Sequence, residues 1–184
     1  MVKLNKIYTR TGDGGETGLA DGSRRRKDDA RLNAIGSVDE ANAALGLVRL
    51  YAEGDLDALL ARAQNALFDL GADLATPGEP EGWTPLRVRA DQVTGLEAAL
   101  DACNEALAPL DSFILPAGSA LAAHLHMART IVRRAERDAV ALAAQEAVNP
   151  EALRYLNRLS DLLFVLARHA NDDGRGDVKW VPGL

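Results

Sequence analysis

The stretch "YTRTGDGGETGLADGS", Tyr8 to Ser23, carries five glycines, three threonines and two aspartates. Glycine lets backbone approach a ligand closely, and hydroxyls add hydrogen bonds. Successive backbone N–H groups in such a loop can cradle an anion. Phosphate is therefore the first chemistry to consider, with ordinary turns as the plain alternative. The established phosphate motifs do not fit. No Lys-Ser or Lys-Thr follows a glycine, as a P-loop requires. Gly12, Gly15 and Gly18 are evenly spaced by three rather than in a G-x-G-x-x-G pattern.

A second group lies in "ARTIVRRAER". Arg129, Arg133 and Arg137 recur at i, i+4 and i+8, so on a helix they border its apolar seam, with Glu136 nearer the seam and Arg134 on the opposite side. Like charges at that spacing repel by a few tenths of a kcal/mol per pair, roughly. One reading is a solvated face with Glu136 and Asp138 as local partners. The other is a grip on phosphate oxygens, for which arginine is the best-shaped side chain. Asn157 borders another apolar surface, with Asp161 one turn on; it is either a buried amide bonded to backbone or a reader of adenine, ribose or phosphate.

Other candidates point to less. His124 and His126 are two apart and cannot face one zinc ion from a helix, so packing or solvent is their expected role. Cys103 falls on an apolar seam and reads as core. No Ser-His-Asp or Cys-His arrangement emerges. Asp13, Asp28, Asp29 and Asp39 could serve Mg²⁺ if a nucleotide binds, but such sites leave little signature, and the metal ligands stay unknown.

The elements that must position these groups read as helices. The chain has 184 residues, 47% hydrophobic, rich in Ala and Leu with few aromatics, which suits one all-α domain. Net charge is −6, which gives no support to nucleic-acid binding. No apolar run reaches membrane-spanning length and no signal peptide opens the chain; with a single cysteine, a cytoplasmic protein is expected. Residues 1–36 read as an irregular Gly-rich arm. "SVDE" reads as a capping box, Ser37 capping and Glu40 reaching back, with a first helix to about Glu53. Apolar spacing marks helices over 56–74, 93–107 and about 120–142, and Asn149-Pro150 opens a fifth, running to about Asn171. The bundle thus spans 37–171, and 172–184 forms a tail that Trp180 can dock.

Six ordered segments, "KIYTRTGDGGETGL", "KDDARLNAIGSVDEANAALG", "LFDLGADLATP", "SFILPAGS", "ARTIVRRAER" and "NRLSDLLFVLAR", together resemble the ATP:cob(I)alamin adenosyltransferases of the propanediol-utilisation type. The resemblance implies a trimer of five-helix bundles with sites between neighbouring subunits. It implies transfer of the 5′-deoxyadenosyl group of ATP to cobalt, giving adenosylcobalamin and triphosphate, with Mg²⁺ accompanying ATP. By the same resemblance Thr9, Arg10, Thr11, Gly12, Thr17, Gly18 and Lys27 wrap the phosphates. Arg133, Arg134, Glu136 and Arg137 belong to the nucleotide-binding stretch, and Asn157 contacts the nucleotide. Asp39 pairs with Arg129 across the subunit boundary, and Phe113 presses on the corrin to displace its lower ligand. A reductase and an adenosylcobalamin-dependent enzyme are the implied partners. A carrier that binds ATP and adenosylcobalamin and delivers the cofactor is the alternative function. Two departures bear on this: Ala117 in "LPAGS" stands where glycine is usual, and Ala30 where proline is common.

Overall fold

The computed structural model describes residues 7–183; residues 1–6 of the arm and residue 184 of the tail lie outside it. Five helices carry the architecture: α1 (Ala30–Arg49), α2 (Gly54–Leu74), α3 (Ala90–Asn104), α4 (Ala120–Ala143) and α5 (Pro150–His169). Two short strands, β1 (Glu16–Gly18) and β2 (Arg24–Arg26), pair antiparallel with Thr17 opposite Arg25, so the arm is a hairpin. α4 packs chiefly on α1 and α5, α2 against α1, and α3 against α5. No helix among the described residues is long and apolar enough to cross a membrane.

α1 begins about two turns before the expected capping box. Asp29 is the true cap, its Oδ1 accepting from the Arg31 N–H at 2.8 Å. Ser37 is buried mid-helix and donates to the Asp138 carboxylate of α4, while Glu40 takes Arg134. The S-x-x-E spacing is equally that of two residues on one face inside a helix, and here both face α4. The arm thus ends at Asp29, and Ala30 is the first helical position. Proline suits that position, and alanine, a strong helix former, fills it equally well. The other helices fall close to the expected bounds, with Asn149 capping α5 through the Glu151 N–H.

The core is chiefly leucine and alanine from all five helices, including Leu45, Leu67, Leu70, Leu96, Leu125, Leu142, Leu156, Leu159 and Leu163. Each buried leucine contributes about 2 kcal/mol, against a few tenths for a like-charge pair on a helix surface. Burial of the seam therefore decides where α4 lies, and its arginines must follow. α5 is buried on more than one side, since Leu162 and Val165 are enclosed as well, which makes it the central helix.

The arm is anchored at the end of α4. Arg31, 2% exposed, donates to the Leu74 carbonyl at 2.7 Å and to Glu146 at 2.9 Å. Arg25 of β2 reaches the same carboxylate at 3.0 Å, and the Ala20 N–H bonds the Ala75 carbonyl. These guanidinium hydrogen bonds, Arg31's first, hold the Glu146 carboxyl below its ordinary range.

A second knot ties the loop before α4 to the chain after α5. Asn171 accepts from the Ser119 N–H at 3.0 Å and donates to the Ala117 carbonyl at 3.0 Å. Arg168 and Asp177, both nearly buried, pair at 2.9 Å. Gly118, not Ala117, carries the left-handed backbone, with φ 111°. A Cβ on Gly118 would lie 2.1 Å from Asn171 Oδ1. Alanine at 117 therefore costs no strain of the kind its departure from the usual glycine suggested. Gly118→Ala is expected to lower stability by about 2 kcal/mol or more, read as a denaturant midpoint, with Ala117→Gly nearly neutral. Equal midpoints for Gly118→Ala and the parent protein would refute this reading of the loop.

Candidate functional site

α4 presents its seam through Ala122, Leu125, Ala128, Val132, Ala135, Ala139 and Leu142, all fully buried. The small residues let neighbouring helices approach, and those neighbours take the acids of α4. Asp138 accepts from Ser37 of α1. Glu136 accepts from Asn157 Nδ2 of α5 at 2.8 Å. The expectation that Glu136 and Asp138 neutralise the arginines locally therefore fails. Arg134, on the opposite side, is held by Glu40.

The remaining arginines of this stretch have no such partner. Among the described residues, six cationic side chains lack a carboxylate at ion-pair distance: Arg10, Lys27, Arg62, Arg129, Arg133 and Arg137. Five of those six are residues the sequence singles out. Arg137 donates to the Arg133 carbonyl at 3.1 Å within its own helix. Arg129 lies over the Phe164 ring, 5.2 Å from its centroid. Burial and then the Arg133 charge push the Arg129 guanidinium below its ordinary pKa, with Asp161 working the other way. A half-buried cation under that pressure is an acceptor site for negative charge.

Asn157 is held at both ends. Its Nδ2 donates to Glu136 and its Oδ1 accepts from Arg158, whose Nε donates to Glu97 of α3 at 2.8 Å. The structure thus brings Asn157 and Glu136 together, and Arg158 and Glu97, which the sequence did not flag, complete the chain of bonds.

The arm gathers its own set. Thr9 and Thr11 hydroxyls lie 2.8 Å apart. Arg24 donates to the Thr11 carbonyl at 2.9 Å, and the Lys27 N–H to the Gly15 carbonyl at 2.8 Å. The Lys27 ammonium rests over Gly12, where an added Cβ would come within 3.2 Å of Nζ. Arg10 turns the chain with a left-handed φ of 63° and places its guanidinium near the Tyr8 ring. Thr17 and Gly18 lie in β1, opposite Arg25 and Arg24. Among the described residues, no hydrogen bond or ion pair joins this loop to Arg133, Arg137 or Asn157. Arg25 fixes the hairpin beyond the far end of α4, and Arg133 is roughly 15 Å back along that helix from Ala143, at about 1.5 Å per residue.

Beside the arginine row opens a cavity of about 780 Å³, whose walls include Phe113, Ile114, His126, Arg129, Phe164 and Trp180. Phe113 is 78% exposed and meets Trp180 edge-on at 6.1 Å between centroids. The tail does dock: the Trp180 N–H donates to the Phe113 carbonyl at 2.8 Å, the Leu115 N–H to the Val178 carbonyl at 2.7 Å, and Lys179 pairs with Asp111. Arg129 joins cavity and arginine row. Phe164 reads from the sequence as part of the apolar surface of α5, and His126 as packing or solvent because its spacing from His124 suits no zinc site; neither pattern points to a cavity wall. His124 instead donates from Nδ1 to the Ala120 carbonyl and stacks on Tyr51. Burial pushes the half-buried Cys103 thiol up, as suits a core residue.

Asp39 lies exposed on α1, in a groove of about 440 Å³ that Ile35 and the exposed Phe68 also line. Neither Asp39 nor Arg129 finds an ion-pair partner among the described residues, and the two are not paired with each other.

The family model described as cobalamin adenosyltransferase matches residues 7–170. A corrinoid adenosyltransferase of Mycobacterium tuberculosis is 52% identical over 187 residues, covering 99% of this chain and 96% of the relative. A cobalamin adenosyltransferase of Cupriavidus metallidurans is also 52% identical, over 97% of this chain and 95% of its own length. Among solved structures, a variant PduO-type ATP:corrinoid adenosyltransferase from Lactobacillus reuteri, complexed with cobalamin and ATP, superposes with a TM-score of 0.89. It is 36% identical and covers 96% of this chain and 97% of its own.

The bonds around Asn157 give a direct test. Arg158→Ala and Glu136→Gln are each expected to shift the Asn157 side-chain amide resonances and to speed their exchange with water, with helix content unchanged. Resonances that stay put in both variants would show that these neighbours do not hold the carboxamide.

Proposed function

As the chain belongs to the cobalamin adenosyltransferase family, we propose that it transfers the 5′-deoxyadenosyl group of ATP to the cobalt of cob(I)alamin. The observation that carries this reading is the row of arginines without a carboxylate partner among the described residues, Arg129, Arg133 and Arg137, running into a cavity walled by Phe113, Phe164 and Trp180. One end suits a polyphosphate and the other a flat apolar macrocycle. In the reaction the cobalt(I) electron pair forms a bond to C5′ of ATP. The C5′–O bond breaks, its electrons leave on triphosphate, and cobalt becomes formally Co(III). Cob(I)alamin is the nucleophile, so no side chain need attack and no base need take a proton. The protein's work is to hold C5′ against cobalt and to stabilise the leaving triphosphate.

Thr9, Thr11, Gly12, Thr17, Gly18, Arg10 and Lys27 are read as the phosphate cradle, with Arg133 and Arg137 meeting the same charge from α4. Asn157, pre-oriented by Glu136 and Arg158, contacts the nucleoside. Arg134 is engaged by Glu40 and is given a smaller share. Mg²⁺ enters with ATP; among the described residues no three carboxylate, imidazole or thiol groups converge, so phosphate oxygens supply most of its ligands. Phe113, exposed at the cavity mouth, is the wedge that empties the lower axial position of the corrinoid.

We further propose that the site is shared between copies in a trimer. Three observations support this: among the described residues the arm makes no bond to the α4 arginines, among them Asp39 and Arg129 find no ion-pair partner, and Phe68 is 74% exposed beside Asp39. A neighbour's arm would bring the cradle to the arginine row. A cytoplasmic setting, a reductase that supplies cob(I)alamin and an enzyme that uses the product complete the reading.

The deciding experiment is anaerobic. Protein, Mg²⁺, ATP and chemically reduced cob(I)alamin are mixed, and adenosylcobalamin is followed by absorbance with triphosphate measured alongside. Stoichiometric formation of both, over many turnovers, is expected. Saturable ATP binding without turnover would overturn the enzyme reading in favour of a carrier. Arg133→Ala and Asn157→Ala are each expected to lose more than tenfold in rate or ATP affinity with the fold intact, and Arg134→Ala much less; wild-type rates in the first two would remove the site assignment. Mixing Arg133→Ala with Lys27→Ala protein should restore activity above either alone if sites are shared, and leave it at the sum if they are not. Phe113→Ala is expected to slow the reaction from cob(II)alamin more than from cob(I)alamin, and equal losses would remove the wedge role.

A further inference from the structure

His126 lies on α4, one turn before Arg129, and is 3% exposed. Its Nε2 is buried and, among the described side chains, is the one such nitrogen or oxygen with no hydrogen-bond partner. Buried polar groups are almost always satisfied, because an unmade hydrogen bond costs the full desolvation of the group. An orphan of this kind needs an explanation. It does not lie at random: His126 lines the cavity that Phe113, Arg129, Phe164 and Trp180 also wall. The Phe164 ring lies T-shaped to the imidazole, 6.2 Å between centroids, beyond hydrogen-bond reach.

The chemistry of the missing partner follows from the neighbours. Burial, and next the Arg129 charge, press the imidazole toward its neutral form, with Asp177 opposing more weakly. A neutral imidazole has one donor and one acceptor nitrogen. It does not compete for an anion when an arginine stands one turn away. It matches a neutral group that can donate or accept, and a carboxamide does both. The rim of a corrinoid macrocycle carries carboxamides, while its faces are apolar.

We propose that His126 is a specificity-determining residue for the corrinoid, its Nε2 completed by a peripheral carboxamide of the macrocycle or by one water that the carboxamide holds. This deepens the functional reading above and rests on it. The polar anchor would fix the macrocycle's rotation in the cavity, a task that ring stacking on Phe113 alone cannot perform.

The test is cob(II)alamin binding to ATP-saturated protein, followed anaerobically by absorbance. His126→Phe keeps the ring and removes the nitrogen. It is expected to raise the corrinoid Kd at least tenfold while leaving the ATP Kd within twofold, and His126→Gln, which restores a donor and acceptor, should recover most of the loss. A corrinoid Kd unchanged in His126→Phe would overturn the proposal and leave the nitrogen as packing against Phe164. If His126→Phe does not fold, the wild-type protein with ¹⁵N-labelled histidine decides. The chain has three histidines, and adenosylcobalamin, a diamagnetic corrinoid, should move the His126 Nε2 resonance far more than those of His124 and His169; an unmoved resonance overturns the proposal. Wild-type protein that binds no corrinoid at all would sink the functional reading with it, whereas wild-type binding that ignores His126 would sink this inference alone.

Discussion

Everything at the site depends on how closely α4 approaches α1 and α5. Alanines at 128, 135 and 139 present no bulk, so the flanking helices come near enough to reach the acids of α4. Ser37 takes Asp138, and Asn157 takes Glu136. The sequence "ARTIVRRAER" carries four arginines against one glutamate, with Asp138 following it. Folding does not neutralise that excess: Glu136 and Asp138 are taken by neighbouring helices and Arg134 by Glu40, while Arg129, Arg133 and Arg137 find no carboxylate at ion-pair distance among the described residues. Hydrophobic burial, worth far more than the repulsion among three arginines, holds that surplus in place.

That division explains what could be read from the residues and what could not. Apolar spacing marks five helices because burial imposes it, and Asn149-Pro150 marks a helix start because the missing proline N–H costs nothing there. Ser37 misleads because a capping spacing is also an interior spacing, and only the position of α4 tells them apart. The side of α4 on which Arg129, Arg133 and Arg137 lie is a local property and legible. Which arginine is already engaged depends on Glu40, a residue ninety-odd positions away, and no local pattern carries that. Phe164 satisfies the helical pattern and His126 reads only as packing or solvent; that both line a cavity depends on the docking of Trp180, which no local pattern carries. The two strands of the arm, three residues each, are too short for alternation to show.

The loop containing Phe113 is an example of irregular backbone held by long-range contacts. It contributes one isolated bridge, Ile114 to Lys179, and little else of regular structure. Its position is set from behind, by Asn171 on the Ala117 carbonyl and the Ser119 N–H, by Arg168 on the Ala108 carbonyl, and by the strand-like pairing with 178–180. Gly118 is the point where this knot tolerates no side chain. A phenylalanine so exposed can keep a fixed direction only because the backbone under it is bonded on both sides.

The partner of that loop is encoded some sixty-five residues later in the chain. During synthesis, α4 can begin to fold, and the arginine row can form, while residues 178–180 are still inside the ribosome. The aromatic wall cannot. The helix that carries the arginine row is therefore made well before the aromatic wall beside it can close.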